Sequence, residues 1–79
     1  MYYVYVLKSL RDNSFYKGVT ADLKKRILEH NSGLAKYSSF KKPFKLVWYS
    51  AFSNKEKAYK FEKYIKSGSG FAFVNKHLI

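Results

Sequence analysis

Two predicted helices carry ionic side chains on faces that would otherwise be apolar. In the first, one face holds the positions i, i+3, i+4 and i+7, which are Leu23, Arg26, Ile27 and His30. A helix that only packs on a core would be apolar at all four positions, and a surface helix would turn the polar pair away. The pattern therefore indicates a guanidinium and an imidazole held about one turn apart beside the core.

The second helix repeats this feature with a carboxylate. Its apolar stripe is Ala58, Phe61 and Ile65, and Glu62 lies at the edge of the same face. Glu62 is one of 5 acidic residues in a chain with 16 Lys+Arg. A carboxylate at the edge of a core is costly unless it is paired or holds a cation. One carboxylate, with waters and substrate phosphates, is a usual way for proteins to hold Mg²⁺.

Together these side chains favour chemistry on a phosphate. An arginine makes bidentate contact with a phosphate and stabilises charge that develops there. A histidine or a tyrosine can transfer a proton to or from water, and the first two predicted strands supply several tyrosines. The set suits metal-assisted cleavage of a phosphodiester, provided that the ionic groups of both helices converge over the tyrosines.

Each residue alone has a structural explanation. Glu62 can pair with Lys66 at i+4, or with Arg26, which would then only neutralise it. His30 can interact with the dipole at a helix C-terminus. The tyrosines of the first two strands can be core residues with hydrogen-bonded hydroxyls. Only the joint pattern favours the catalytic interpretation.

Length and charge restrict the classes of function. A chain of 79 residues predicts one domain, spanning residues 1–79, and the absence of cysteine excludes disulfides and thiolate zinc sites. A formal net charge of +11 favours nucleic acid as the partner, with a membrane surface second and a merely basic protein as the alternative. The sequence shows no signal-peptide pattern and no apolar run near the ~20 residues of a bilayer span. We therefore expect a cytoplasmic protein.

The first half of the chain predicts a β-hairpin followed by a helix. Tyr2–Ser9 is apolar on both faces, which is typical of a central strand. Turn-forming residues 11–13 join it to a second strand at Ser14–Val19. Thr20 is the predicted N-cap of a helix that ends near Asn31, with Gly33 as its stop.

The second half predicts one strand and one helix. Residues 34–42 indicate a loop, and Phe44–Phe52 is the third strand. Ser53 and Glu56 have the spacing of a capping box, with Ser53 as N-cap of a helix that runs to Lys66. A last helical turn or two is predicted over 71–78.

Four segments give the chain a family resemblance. They are Tyr3-Val4-Tyr5, Tyr16-Lys17-Gly18, the stretch 22–26 followed by His30-Asn31, and the run 61–67 that contains Glu62. In this order and at these intervals, they resemble the GIY-YIG nuclease superfamily, which includes homing endonucleases and the excision-repair incision subunit. The chain departs from that family at Lys17, where a branched apolar residue is usual, and at Phe71, where small relatives carry an arginine.

The resemblance implies an α+β fold, a three-stranded antiparallel sheet flanked by helices, and it implies roles for the site. By resemblance, Tyr5 would help to deprotonate the attacking water, and Tyr16 would orient that water or contact the phosphate. Arg26 would hold the scissile phosphate, and His30 would assist proton transfer or contact phosphate. Glu62 would bind one divalent ion, Mg²⁺ or Mn²⁺.

The resulting hypothesis is a divalent-metal-dependent DNA endonuclease of low sequence specificity, in DNA repair or recombination. RNA is not excluded as a substrate, no membrane is involved, and the protein is expected to be a monomer or a weak homodimer. The expected nucleic-acid contacts are Lys17, Lys24, Lys25 and Lys66. One alternative is a non-catalytic nucleic-acid-binding module of the same fold. Another is an interaction subunit that supplies this fold to a partner.

Overall fold

The computed structural model describes residues 1–32, 41–67, 70 and 76. The elements it shows are the strands β1 (Tyr2–Ser9), β2 (Phe15–Thr20) and β3 (Phe44–Phe52), and the helices α1 (Leu23–Ser32) and α2 (Lys55–Lys66). The predicted stop at Gly33, most of the predicted loop and nearly all of the predicted C-terminal turn lie outside the described residues. Neither α1 nor α2 has the length and apolar character needed to cross a bilayer.

The three strands form one antiparallel sheet in the order β2-β1-β3, so β1 is central, as its two apolar faces predict. A tight turn joins β1 to β2, with a hydrogen bond of 2.8 Å from the Ser9 amide to the Ser14 carbonyl. Asn13 takes the left-handed backbone conformation in this turn (φ 62°), which asparagine tolerates well. The architecture is the α+β fold that the resemblance implies.

The two helices pack on opposite faces of the sheet. Successive side chains of a strand point to opposite faces. Tyr5 and Leu7 pack with Leu23 and Ile27 of α1 and with Phe44. The intervening residues of β1, with aromatic residues of all three strands, pack against Ala58, Phe61 and Ile65 of α2. Each helix therefore uses its predicted apolar stripe, but the stripes meet different sides of the sheet.

The predicted N-cap of α1 is wrong by two residues. The cap is Asp22, whose Oδ1 accepts a hydrogen bond of 3.1 Å from the Lys25 amide, three residues later. Thr20 lies two residues upstream, and its hydroxyl accepts a hydrogen bond from the Asp22 amide at 3.1 Å. Thr20 is still the last residue of β2, which occupies Phe15–Thr20 where Ser14–Val19 is predicted. The helix begins only after β2 has ended at Thr20, and the residue directly before the helix is Asp22, whose carboxylate accepts the capping hydrogen bond.

The predicted N-cap of α2 is wrong by one residue. Asn54, not Ser53, is the cap, and its side chain accepts a hydrogen bond of 3.1 Å from the Lys57 amide. Glu56 therefore lies in the first turn as an acidic residue near the helix dipole, and not at the third helical position of a capping box. The shift does not change which residues face the sheet, because the apolar stripe fixes the rotation of the helix.

Candidate active site

The hydroxyl of Tyr5 lies between two residues of α1. Nε of Arg26 donates to it over 3.4 Å, and Nε2 of His30 lies 3.2 Å from it. Tyr5 is 1% exposed and His30 is fully buried. The arginine and the histidine are four positions apart on one helical face, as the sequence predicts, and both reach the same oxygen.

The donor chemistry fixes the direction of the bond from Arg26 to Tyr5, and the tautomer of His30 sets the direction of the other bond. A guanidinium only donates, so the oxygen of Tyr5 accepts from Arg26. When Nε2 of His30 is the unprotonated ring nitrogen, it accepts the phenolic proton of Tyr5 over 3.2 Å; in the other tautomer, Nε2 donates to the second lone pair of the same oxygen. In the first tautomer, His30 is a proton acceptor for Tyr5.

Burial sets the protonation states of both groups. It raises the pKa of the Tyr5 phenol, against the opposing effect of Arg26. Burial lowers the pKa of His30, and the positive charge of Arg26 lowers it further, while Glu29 acts in the opposite sense. Near neutral pH, Tyr5 is therefore a protonated phenol and His30 a neutral imidazole.

Tyr16 and the guanidinium of Arg26 form the accessible side of the cluster. The Tyr16 ring lies 4.6 Å from His30 and 6.4 Å from Tyr5, between ring centroids. Arg26 pairs with Glu29 at 3.2 Å, and its side chain stays 34% exposed. Hydrogen bonds to Tyr5, Glu29 and Tyr16 raise the pKa of Arg26 above its ordinary value, against burial. The arginine is a fixed cation that solvent reaches.

Gly18 makes room for the Tyr5 ring. It is the cross-strand partner of Tyr5 on β2. A Cβ atom at this position would lie 2.5 Å from the Tyr5 hydroxyl oxygen and 2.7 Å from Cζ, well inside contact distance. The glycine of the Tyr16-Lys17-Gly18 segment thus lets the phenol lie flat over β2 and reach Arg26.

Asn31 fixes the end of α1 against β3, a role that the sequence does not reveal. Its side-chain oxygen accepts from the Phe44 amide at 2.6 Å, and its amide group donates to the Phe44 carbonyl at 3.2 Å. The Phe44 ring in turn packs on His30 with centroids 5.6 Å apart. The sequence signal for this role is the position of Asn31, directly after the inward-facing His30.

Glu62 lies apart from this cluster. It projects from α2, which packs on the opposite face of the sheet, and it pairs with Lys66 at 2.9 Å. Burial raises the pKa of the Tyr5 phenol most, Tyr16 raises it further, and the charge of Glu62 adds a smaller effect in the same direction. The structure therefore brings Tyr5, Arg26 and His30 together, with Tyr16 packed beside them, whereas Glu62 makes no contact with this cluster among the described residues.

The residues present fit a cation that takes one protein ligand. Among the residues that the structure describes, no group of three or more His, Cys, Asp and Glu side chains lies together. The Glu62 side chain is 18% exposed and offers carboxylate oxygens. Such a donor suits Mg²⁺ or Mn²⁺ that draws its remaining ligands from water and substrate phosphate.

The four lysines expected to bind nucleic acid fall into two pairs. Lys24 and Lys25 are exposed on α1. Lys17 lies on the α2 side of β2, where burial, with the charge of Lys66, lowers its pKa. The strand face around Lys17 is thus partly buried, and Lys17 and Lys66 are within electrostatic range of each other.

Comparison with known proteins gives one consistent result. Residues 1–75 match the family model of the GIY-YIG catalytic domain. The UPF0213 protein CPE1444 of Clostridium perfringens is 49% identical over 67 residues, which cover 84% of this chain and 71% of that protein. The UPF0213 protein SSP2268 of Staphylococcus saprophyticus subsp. saprophyticus is 41% identical over 69 residues, 86% of this chain and 83% of that protein. The solution NMR structure of the UPF0213 protein BH0048 from Bacillus halodurans superimposes with a TM-score of 0.58 at 38% identity, covering 99% of this chain and 87% of that one.

Proposed function

Since the chain belongs to the GIY-YIG catalytic domain family, a nuclease family, we propose that it is a divalent-metal-dependent DNA endonuclease of low sequence specificity. Residues 1–79 would form a single catalytic domain. The observation that carries the proposal is the Tyr5 hydroxyl held between Arg26 and His30. A buried phenol with a neutral imidazole as proton acceptor and a fixed guanidinium above it is equipped for proton transfer beside a phosphate.

The proposed proton path uses the tautomer of His30 in which Nε2 is unprotonated. A substrate phosphate bound to Arg26 would replace the long contact of 3.4 Å from Nε to the Tyr5 oxygen, which leaves that oxygen free to accept from the attacking water. The attacking water then gives a proton to the oxygen of Tyr5, while the phenolic proton passes to Nε2 of His30. The products of this step are a hydroxide-like nucleophile, a neutral phenol and an imidazolium, so protons and charge balance.

Arg26 and Tyr16 would hold the phosphate. The guanidinium can contact two phosphate oxygens at once and stabilise the charge that grows on them during attack. Tyr16 is partly exposed next to it and can orient the water or bind a phosphate oxygen. Glu29 keeps the guanidinium in place through the ion pair of 3.2 Å.

Glu62 would hold the divalent cation on the leaving-group side. A bound cation there supplies positive charge to the departing oxygen and polarises the phosphate. Lys17, Lys24, Lys25 and Lys66 would contact the DNA backbone. Phosphate contacts set affinity and carry no sequence information, which supports low sequence specificity.

A nicking assay tests the proposal. Supercoiled plasmid and branched DNA are incubated with the protein and Mg²⁺ or Mn²⁺. We expect cleavage by the wild type and its loss in Glu62→Ala and in Arg26→Ala. Glu56→Ala is the matched control, since Glu56 is an exposed carboxylate on the same helix. Cleavage that survives in both site variants would show that the activity comes from a contaminant.

A second candidate is a nucleic-acid-binding module without turnover. Two observations favour it, since Tyr5 is covered by Arg26 and Glu62 is occupied by Lys66. This candidate predicts DNA or RNA binding that weakens steeply with salt, because each phosphate contact releases counterions. Tight binding without cleavage of any substrate, with either metal, would favour it over the nuclease.

A further inference from the structure

Lys66 occupies the carboxylate that the proposed function assigns to the cation. Its Nζ lies 2.9 Å from Oε2 of Glu62, four residues earlier on α2. The carboxylate side chain is 18% exposed, whereas the lysine side chain is 50% exposed. The carboxylate is therefore fixed by its surroundings, and the ammonium group is the mobile member of the pair.

A divalent cation and this ammonium group compete for the same carboxylate. Two cations on one carboxylate repel each other, so departure of the lysine favours metal binding at Glu62. Leaving is easy, because an ion pair with a half-exposed lysine is weak and the side chain is long and flexible.

A substrate phosphate is the natural acceptor for the displaced lysine. Lys66 lies within electrostatic range of Lys17, on the side of β2 that faces α2. Two ammonium groups within electrostatic range of each other favour an anion on this side of the sheet. An anionic phosphate that arrives there offers Lys66 a partner of the same chemistry as Glu62.

We propose that Lys66 is a positioning residue that couples metal binding to DNA binding. In the free protein it holds the Glu62 carboxylate, and on DNA it moves to a backbone phosphate, which frees Glu62 for the divalent cation. This inference rests on the proposed function. Because linkage is reciprocal, DNA increases the affinity for the cation by the same factor as the cation increases the affinity for DNA.

The first test measures Mn²⁺ affinity without DNA, from the free-ion signal in electron paramagnetic resonance. Lys66→Met removes the competitor and keeps the aliphatic stem. Lys63→Met is the matched control, since it removes the same charge from an exposed position of the same helix. We expect Lys66→Met to bind Mn²⁺ about two- to fivefold more tightly than the wild type, the range expected of a weak ion pair. Lys63→Met should stay close to the wild type.

The second test repeats the titration with a short duplex DNA, in a Tyr5→Phe background in which the DNA is not cut. DNA should increase Mn²⁺ affinity when Lys66 is present, and by a smaller factor in Tyr5→Phe/Lys66→Met. A smaller factor remains because DNA phosphates also supply oxygen ligands to the ion.

The outcomes separate this inference from the proposed function. If Mn²⁺ binds equally to the wild type, Lys66→Met and Lys63→Met, or if the DNA effect is the same with and without Lys66, the inference is wrong and the nuclease proposal stands. If Mn²⁺ binds to none of the three proteins and DNA is not cleaved, both are wrong. Tighter binding confined to Lys66→Met, with a reduced DNA effect, supports the coupling.

Discussion

Replacing Gly18 with alanine should disable the site by displacing Tyr5 while the fold persists. The backbone of Gly18 lies outside the left-handed region, so alanine adds only a steric conflict. The new Cβ would lie 2.5 Å from the Tyr5 hydroxyl oxygen and 2.7 Å from Cζ. An ordinary contact is about 3.5 Å, so the end of the ring must withdraw by about 1 Å.

The displacement has two measurable consequences. Overpacking of this kind costs about 1–3 kcal/mol of the free energy of unfolding. Withdrawal also disturbs the contacts of 3.2 Å to His30 and 3.4 Å to Arg26. A displacement of about 1 Å at a reacting group can lower the rate roughly 100-fold. We therefore expect Gly18→Ala to remain folded, with cleavage reduced by about two orders of magnitude.

Urea denaturation followed by Trp48 fluorescence measures the stability, and plasmid nicking measures the rate. Trp48 is the single tryptophan, and it packs against Phe61 with centroids 5.7 Å apart, so it reports unfolding. Tyr5→Leu is the background control, because leucine lacks the atoms that clash, and there Gly18→Ala should cost less than half as much. Equal costs in the two backgrounds, or wild-type cleavage by Gly18→Ala, would show that the new methyl group does not displace the Tyr5 ring.

Three further predictions test the surroundings of the site. The pKa of His30 is lower in the folded protein than its ordinary value, so the unfolded chain takes up the proton first and the free energy of unfolding should fall as pH drops through about 6.5. In urea denaturation at a series of pH values, His30→Gln should flatten that part of the curve. An unchanged slope would contradict the lowered pKa of His30. Asn31→Ala removes the side-chain partner of both backbone groups of Phe44 and should lower the free energy of unfolding by about 1–3 kcal/mol in the same assay. Asn31→Asp keeps one acceptor and should lower it less. An equal loss in the two variants would be evidence against the Asn31–Phe44 hydrogen bonds. Lys24→Gln should reduce the slope of log Kd for duplex DNA against log salt by roughly 1, whereas Lys57→Gln on α2 should leave it unchanged. Fluorescence anisotropy measures both slopes. Equal slopes for the two variants would show that the DNA does not contact Lys24.

The sequence predicts the architecture well, because periodicity and burial agree in each element. The two apolar faces of β1 predict its place in the centre of the sheet, and the apolar stripes of both helices are the ones that pack on it. The helix starts are the part that fails. Thr20 and Ser53 are good N-caps by residue type, but each has a neighbour, Asp22 or Asn54, that is as good or better. Residue preference alone does not determine which of two nearby residues is the N-cap, because the position where the preceding strand ends also determines where the helix begins.

The part of the site that lies on α1 can be predicted from the sequence. Arg26 and His30 share a helical face, so helical geometry alone places them one turn apart. The partner of that face, the Tyr5 hydroxyl, depends on how α1 lies across the sheet, which the spacing does not specify. The same limit applies to Glu62, whose helix packs on the other face. Its pairing with Lys66 follows from the i, i+4 spacing and is one of the alternatives that the sequence offers.

In the proposed function, one phosphate of the DNA contacts groups from both faces of the sheet. A crystal structure of Tyr5→Phe with a short duplex and Mn²⁺ tests this arrangement. The proposed function predicts a Mn²⁺ ion on Glu62, a backbone phosphate between that ion and Arg26, and Lys66 moved from the carboxylate to the DNA. A duplex bound away from Arg26, with the Glu62–Lys66 pair intact and no metal at Glu62, would contradict it.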